Sequence, residues 1–264
     1  MYAIIGGTGL NHLGQLEMVR REVMRTPYGE PSGPLSFGKL AGHEVVFLAR
    51  HGYGHTIPPH RINYRANMWA LRDAKVEGVL AVASVGGIRE DLNPGDLLVP
   101  DQIIDYTHSR DHTFFDGTGA PVTHIDFTQP YSQSVRDRLL AAAGEAGEAV
   151  HDGAVYGCSQ GPRLETAAEI RRMKQDGCDL VGMTGMPEAA LSRELHLPYA
   201  CLAVVVNHAA GLGDSRQSIS VAHLDEMSKK AMARVARILG AFAAQPGLPP
   251  NTDPKPESIE PHTA

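Results

Sequence analysis

Apolar residues along the chain fall into short runs that end on glycine, separated by stretches where they recur every three or four positions. Residues 2–5 form one such run, closed by Gly6-Gly7-Thr8-Gly9, and predict a buried first strand feeding a glycine turn. Residues 35–40 and 44–49 flank Ala41-Gly42-His43 and predict a hairpin. Tyr64, Met68, Leu71 and Lys75 sit near helical spacing before Gly78, so a helix is expected over 63–75. Residues 79–84 are continuously apolar until Gly86-Gly87, as in a central strand covered on both faces. A strand over 96–105 is followed by a polar loop of His, Asp and Gly from Thr107 towards Thr123. Further on, the pattern predicts a helix over 133–150, a strand closing at 156–158 and a helix over 166–175. A short apolar segment at 180–183, a helix opened by Pro187 and running to Leu195, a buried strand over 199–206 and a long amphipathic helix over 221–244 complete it. Strands alternating with helices over the whole length imply an α/β fold with a mostly parallel sheet.

Composition narrows the class. With 42% hydrophobic and 20% charged residues, the 264-residue chain can bury a core. Its 28 glycines and 18 prolines imply many tight loops. A net charge of -6 argues against nucleic acid or an anionic membrane as partner. Cys158, Cys178 and Cys201 are odd in number, widely spaced and free of any CxxC, which disfavours a disulfide framework or a zinc ribbon and fits a reducing compartment. The N-terminus shows neither a basic region nor a long apolar region, and no apolar run approaches the ~18 residues of a membrane helix, so a cytoplasmic protein is expected. Residues 245–264 hold six of the prolines and few apolar side chains, and are expected to form a disordered tail behind a single domain over 1–244.

Candidate chemistry clusters at strand ends. The first glycine loop suits phosphate, because bare backbone N–H groups approach an anion closely, although a plain tight turn fits it too. It is not a dinucleotide fingerprint, since His12 stands where the last glycine belongs, and no Lys follows to make a Walker loop. Arg50-His51 at the end of the hairpin can grip an oxyanion or form a surface salt bridge. Ser84 ends the central strand, and Met183-Thr184-Gly185 ends another strand before a helix N-terminus. Together, four strand ends offering Thr8, Arg50/His51, Ser84 and Thr184 suggest one phosphate pocket at the carboxyl edge of the sheet. His55, His60, His108 and His112 raise a metal reading; His108 and His112 are four apart, but their segment is rich in Asp, Gly and Thr and not helical in pattern, and loop or interface roles are expected.

Several longer stretches carry a resemblance. Gly6-Gly7-Thr8-Gly9, RHGYGHTIPPHRINYRANMWAL from Arg50, PGDLLVPDQIIDYT from Pro94, QGPRLET from Gln160 and VGMTGMPEAALSREL from Val181 occur in the order seen in trimeric purine nucleoside phosphorylases. The likeness covers roughly residues 2–242 and is strongest to the methylthioadenosine phosphorylase branch and its bacterial methylthioinosine relatives. It implies a single α/β domain with a mixed, mostly parallel central sheet flanked by helices, and phosphorolysis of a purine nucleoside with inorganic phosphate as co-substrate and no cofactor or metal. It also implies a homotrimer, or a dimer of trimers, with active sites at subunit interfaces. By resemblance Thr8, Arg50, His51, Ser84 and Thr184 bind phosphate and Met183 packs under the ribose. Ala83 departs from the Thr or Asn usual before the serine, removing a side-chain donor.

The same resemblance bears on the substrate. Family members acting on 6-aminopurines carry an Asp-x-Asp pattern where this chain has Asn207 and Ala209, after Val206. An amide can donate to O6 and accept from a protonated N7 at once. Glu165 matches the glutamate that accepts N1–H, and Leu164 replaces the usual Phe at the base face. A 6-oxopurine is therefore expected. Ordinary nucleoside phosphorylases place a His for the 5'-hydroxyl where Val221 aligns here, and Val221 with Leu224 suits a methylthio group; a two-residue shift would bring in His223 instead. His124 resembles a residue that reaches the neighbouring subunit's 5' pocket. The expectation is methylthioinosine phosphorolysis. Inosine/guanosine phosphorylase, methylthioadenosine phosphorylase and, in a different class, a non-catalytic nucleotide-binding Rossmann-like protein are the alternatives.

Overall fold

The computed structural model describes residues 1–7, 10, 15–117, 122–219, 221–247 and 251, except the side chains of 221–226 and 228–230. In chain order the elements are β1 (Tyr2–Gly6), β2 (Glu17–Glu22), β3 (Leu35–Leu40), β4 (His43–Ala49), α1 (Tyr64–Asp73), β5 (Val79–Gly87), β6 (Leu97–Val99), β7 (Gln102–Asp105), α2 (Gln133–Glu145), β8 (His151–Asp152), β9 (Val155–Cys158), α3 (Ala167–Gln175), β10 (Leu180–Gly182), α4 (Gly185–Glu194), β11 (Tyr199–His208) and α5 (Val221–Ala244). One helical layer covers each face of the sheet. Ala3 and Ile5 of β1 pack with Met68 and Leu71 of α1 and Leu191 of α4. Tyr2 and Ile4, pointing the other way, pack with Val135 and Leu139 of α2 and Ile238, Leu239 and Phe242 of α5. Burial on both faces is why β1, β5 and β11 read as unbroken apolar runs. Among the described residues no helix is long and apolar enough to cross a membrane.

The sheet is mixed and mostly parallel. The path β2-β3-β4-β1-β5-β10-β9-β7 is joined by β11, which pairs with β5 and β6. One edge of β5 is taken by β11 over nearly its whole length. The other edge is shared: β1 pairs in parallel with Val79–Ala81, and β10 pairs antiparallel with Gly86 and Gly87. Residues 82–85 thus face a gap where β1 and β10 part, the switch point at which open α/β sheets bind ligands.

Several expectations need correction. The strand expected over 96–105 is two: β6 pairs with β11 and β8, whereas β7 pairs with β9. The break falls at Pro100-Asp101, where Pro lacks an N–H and the Asp101 carboxylate accepts from the Ala154 N–H at 2.8 Å. The helix expected over 133–150 stops at Glu145, and Gly147 follows at φ +68°. Helix α4 spans Gly185–Glu194 but is interrupted by the extended Met186, so its regular part opens at Pro187 as expected. β2 has no counterpart among the expected strands, because all six of its residues are exposed and leave no alternating pattern. Of the tail, the Gln245 carbonyl accepts from Arg138 at 2.6 Å and the Pro246 carbonyl also accepts from it; residues 248–250 and 252–264 lie outside the described residues.

Candidate active site

The gap in the sheet opens into a cleft of about 690 Å³. Arg50, His51, Ser84, Met183, Thr184, Leu164, Glu165, Val206, Asn207 and Ala209 all line it, as do Ala83 and Gly7. Residues spread over 203 positions of sequence, from Gly7 to Ala209, are thereby brought to one place. Thr8 lies outside the described residues, and so do the side chains of Val221 and Leu224. His124 is exposed and is not part of this cleft in its own chain.

Arg50 follows β4 and is 1% exposed. Its Nε and Nη2 donate to the two carboxylate oxygens of Glu188 at 2.7 and 2.8 Å, and its Nη1 donates to the Val82 carbonyl at 3.0 Å. The Tyr199 hydroxyl donates to the same carboxylate at 2.8 Å. Burial alone would loosen the guanidinium's proton; the Glu188 carboxylate outweighs it, and the Arg50 pKa is raised. Three of the five Arg50 N–H groups are engaged, leaving one each on Nη1 and Nη2. Gly7 is required beside this group, since a Cβ there would stand 2.7 Å from the Val82 carbonyl oxygen and 2.9 Å from Arg50 Nη1. Strand alternation turns the Ser84 backbone towards the same side as the Val82 carbonyl, into the gap.

His51 is 6% exposed and its Nδ1 lies 2.8 Å from the Ile57 carbonyl. A carbonyl only accepts, so Nδ1 carries the proton and Nε2 offers a lone pair when the ring is neutral. Burial first, and then the Arg50 charge, push the His51 pKa down to about 4. The ring lies 4.6 Å from that of His55, which also lines the cleft.

At the opposite end stand Asn207 and Glu165. The pairing of β11 with β5 slips by one residue between Val205 and Asn207, a bulge that re-aims Asn207 at the strand's end. Asn207 Nδ2 donates to the His208 carbonyl at 2.5 Å, which fixes the amide's orientation and leaves Oδ1 and the second N–H. Glu165 accepts a short hydrogen bond from the Ser159 hydroxyl. The next residue, Thr166, caps α3 in a reciprocal box with Glu169, so the Glu165 backbone is held as well. Met183 lies against Gly161, whose φ of +60° suits glycine. Leu164 is 39% exposed at the mouth.

Sequence reasoning missed Glu188, the partner of Arg50, and Ile219, an apolar side chain lining the cleft just before α5. Glu188 carries no local signal beyond being buried at 1% exposure on a helix; Ile219 stands two residues before Val221 and was legible as an apolar neighbour of it. Among the described residues no group of three His, Cys, Asp or Glu side chains is placed to hold a metal ion.

The sequence model of the phosphorylase superfamily matches residues 1–244. A protein of Pseudomonas syringae pv. tomato named probable S-methyl-5'-thioinosine phosphorylase is 54% identical over 245 residues, spanning 91% of this chain and 99% of its own. A 6-oxopurine nucleoside phosphorylase of Pyrococcus furiosus is 45% identical over 249 residues, spanning 92% of each. Among solved structures, methylthioadenosine phosphorylase from Schistosoma mansoni in complex with adenine superposes with a TM-score of 0.87 at 32% identity, over 92% of this chain and 90% of that one.

Proposed function

The chain belongs to the phosphorylase superfamily, and on that premise we propose that it cleaves S-methyl-5'-thioinosine with inorganic phosphate to hypoxanthine and 5-methylthioribose 1-phosphate. The observation that carries the base assignment is the oriented amide of Asn207 at the β11 bulge, in one cleft with Glu165. Asn207 Oδ1 accepts from the N7–H that forms as the base leaves, and its second N–H donates to O6. Glu165 accepts N1–H, which adenine lacks. At the sugar, Met183 packs beneath the ribose, and Val206, Ile219, Val221 and Leu224 surround the methylthio group.

Phosphate lies in the gap beside β5, held by Thr8, Arg50, His51, Ser84 and Thr184. An oxygen of hydrogen phosphate attacks C1' as the C1'–N9 bond breaks, and that bond's electrons pass to the purine. The sugar passes through an oxocarbenium-like state, which the phosphate charge stabilises. Hydrogen bonds at N7 and O6 strengthen as negative charge builds on the base, and this difference between ground and transition state is what accelerates the step. Hydrogen phosphate ends without its one proton and hypoxanthine ends with one more, so protons and charge balance overall and none stays on the enzyme. Neutral His51 accepts the P–OH hydrogen bond at Nε2. No cofactor or metal takes part.

The working unit is a cytoplasmic homotrimer in which His124 of each subunit completes a neighbour's 5' pocket. Inosine/guanosine phosphorolysis would use the same base contacts and differ at the sugar, where Ile219 favours an apolar group. Incubation with methylthioinosine tests the reaction. Hypoxanthine and methylthioribose 1-phosphate should appear in equal amounts and only with phosphate; free methylthioribose in phosphate-free buffer would refute phosphorolysis.

A further inference from the structure

Arg110 stands outside the cleft lining, yet it bonds to the backbone of two segments that border it, Ser159–Gln160 and Met183–Met186. It follows β7 after Ser109, whose φ of +56° turns the chain inward, and it is 8% exposed. Its Nε donates to Gln160 Oε1 at 3.1 Å. Nη1 donates to the Tyr64 hydroxyl at 3.2 Å and to the Met183 and Met186 carbonyls at 2.9 and 2.5 Å. Nη2 donates to the Ser159 and Gln160 carbonyls at 3.4 and 2.7 Å. None of these partners is a carboxylate. A buried cation satisfied wholly by neutral oxygens is an expensive way to hold loops together, and a planar fork of five donors is the group that can do it.

The peptides it holds are those that set the subsites. Ser159 holds Glu165 through its hydroxyl. Met183 lies in the cleft beside Thr184, and Met186 opens the turn of α4 that carries Glu188 to Arg50. We propose that Arg110 is a positioning residue that locks the base, ribose and phosphate subsites into one register, so that base selectivity and turnover both depend on it. This inference rests on the reading of the cleft given above. The guanidinium touches no reacting atom; it acts through the Ser159, Gln160, Met183 and Met186 carbonyls. A misplacement of about 1 Å in such a site costs on the order of a hundredfold in rate.

The test compares wild type with Arg110→Lys, which keeps the charge and loses the fork. Three quantities are read: kcat and KM for methylthioinosine, the methylthioinosine to methylthioadenosine ratio of kcat/KM, and hypoxanthine against adenine affinity by calorimetry. Expected are a kcat lower by about a hundredfold, a selectivity ratio lower by tenfold or more, and a matching narrowing of the two base affinities. If the lysine variant is not recovered folded, Gln160→Leu, which removes one acceptor of the fork and lines no part of the cleft, should show the same pattern in weaker form. Ser159→Ala should lower the selectivity alone and leave the phosphate KM in place. A loss that is equal for both nucleosides with unchanged relative base affinities, or a melting-point change with wild-type kcat, overturns the proposal. Failure of phosphorolysis itself would appear separately, as a wild type that releases no base with phosphate, and the base-affinity comparison would still decide the role of Arg110.

Discussion

Arg50 lines the cleft with its charge already balanced by Glu188, so in the proposed phosphate role it would act through directed N–H groups held in place more than through net charge. Glu188→Gln should raise the phosphate KM about tenfold or more, a lost charge-assisted contact being worth ~1.5–3 kcal/mol, and leave the nucleoside KM nearly unchanged. Breaking a buried pair should also lower stability by about 3–5 kcal/mol, read by denaturant unfolding. His51 gives a pH signature. Its pKa is near 4 in the folded chain and about 6.5 when unfolded, so the unfolded state binds the proton more readily. Its contribution to stability is complete above pH 6.5 and is lost as pH falls towards 4. Unfolding free energies of His51→Gln should therefore decline less than those of wild type across that window, measured without phosphate. Arg50 and His51 were legible from their place at a strand end; Glu188 was not, because it pairs across 138 residues and nothing local marks it.

At the level of elements, the site exists because β1 and β10 share one edge of β5 without meeting. The apolar run of β5 announced a central strand, but which strands flank it, and where they part, is decided by tertiary pairing that no local pattern records. Gly7 guards this opening. Gly7→Ala should push Arg50 from the Val82 carbonyl and raise the phosphate KM by at least tenfold, while circular dichroism shows retained fold. The bulge at Val206 was equally invisible, although Asn207 itself stood out at a strand's end. Asn207→Asp should move selectivity towards the 6-amino base by about a hundredfold, since mismatched buried polar groups cost ~1–3 kcal/mol each. A variant that keeps the wild-type ratio would remove Asn207 from base recognition. The division of 96–105 into two strands has a plain cause in Pro100, which the apolar count alone overlooked.

Over the whole molecule, the single α/β unit was readable from alternation, and its boundary is sharpened by Arg138. This buried side chain donates to the Phe242 carbonyl at 2.7 Å and to those of Gln245 and Pro246. A chain ending at Ala244 should lose about 1–3 kcal/mol through the unmet donors, while one ending at Gly247 should unfold like wild type. Assembly was not legible in a pattern that describes one subunit. Sedimentation should give a trimer, and a fully active monomer would contradict the interface role of His124. The most direct test of the account is the set of kcat/KM values for methylthioinosine, inosine and methylthioadenosine at saturating phosphate. The account predicts that methylthioinosine leads methylthioadenosine by about a hundredfold and also exceeds inosine; a lead for methylthioadenosine, or equal rates with inosine, would contradict it.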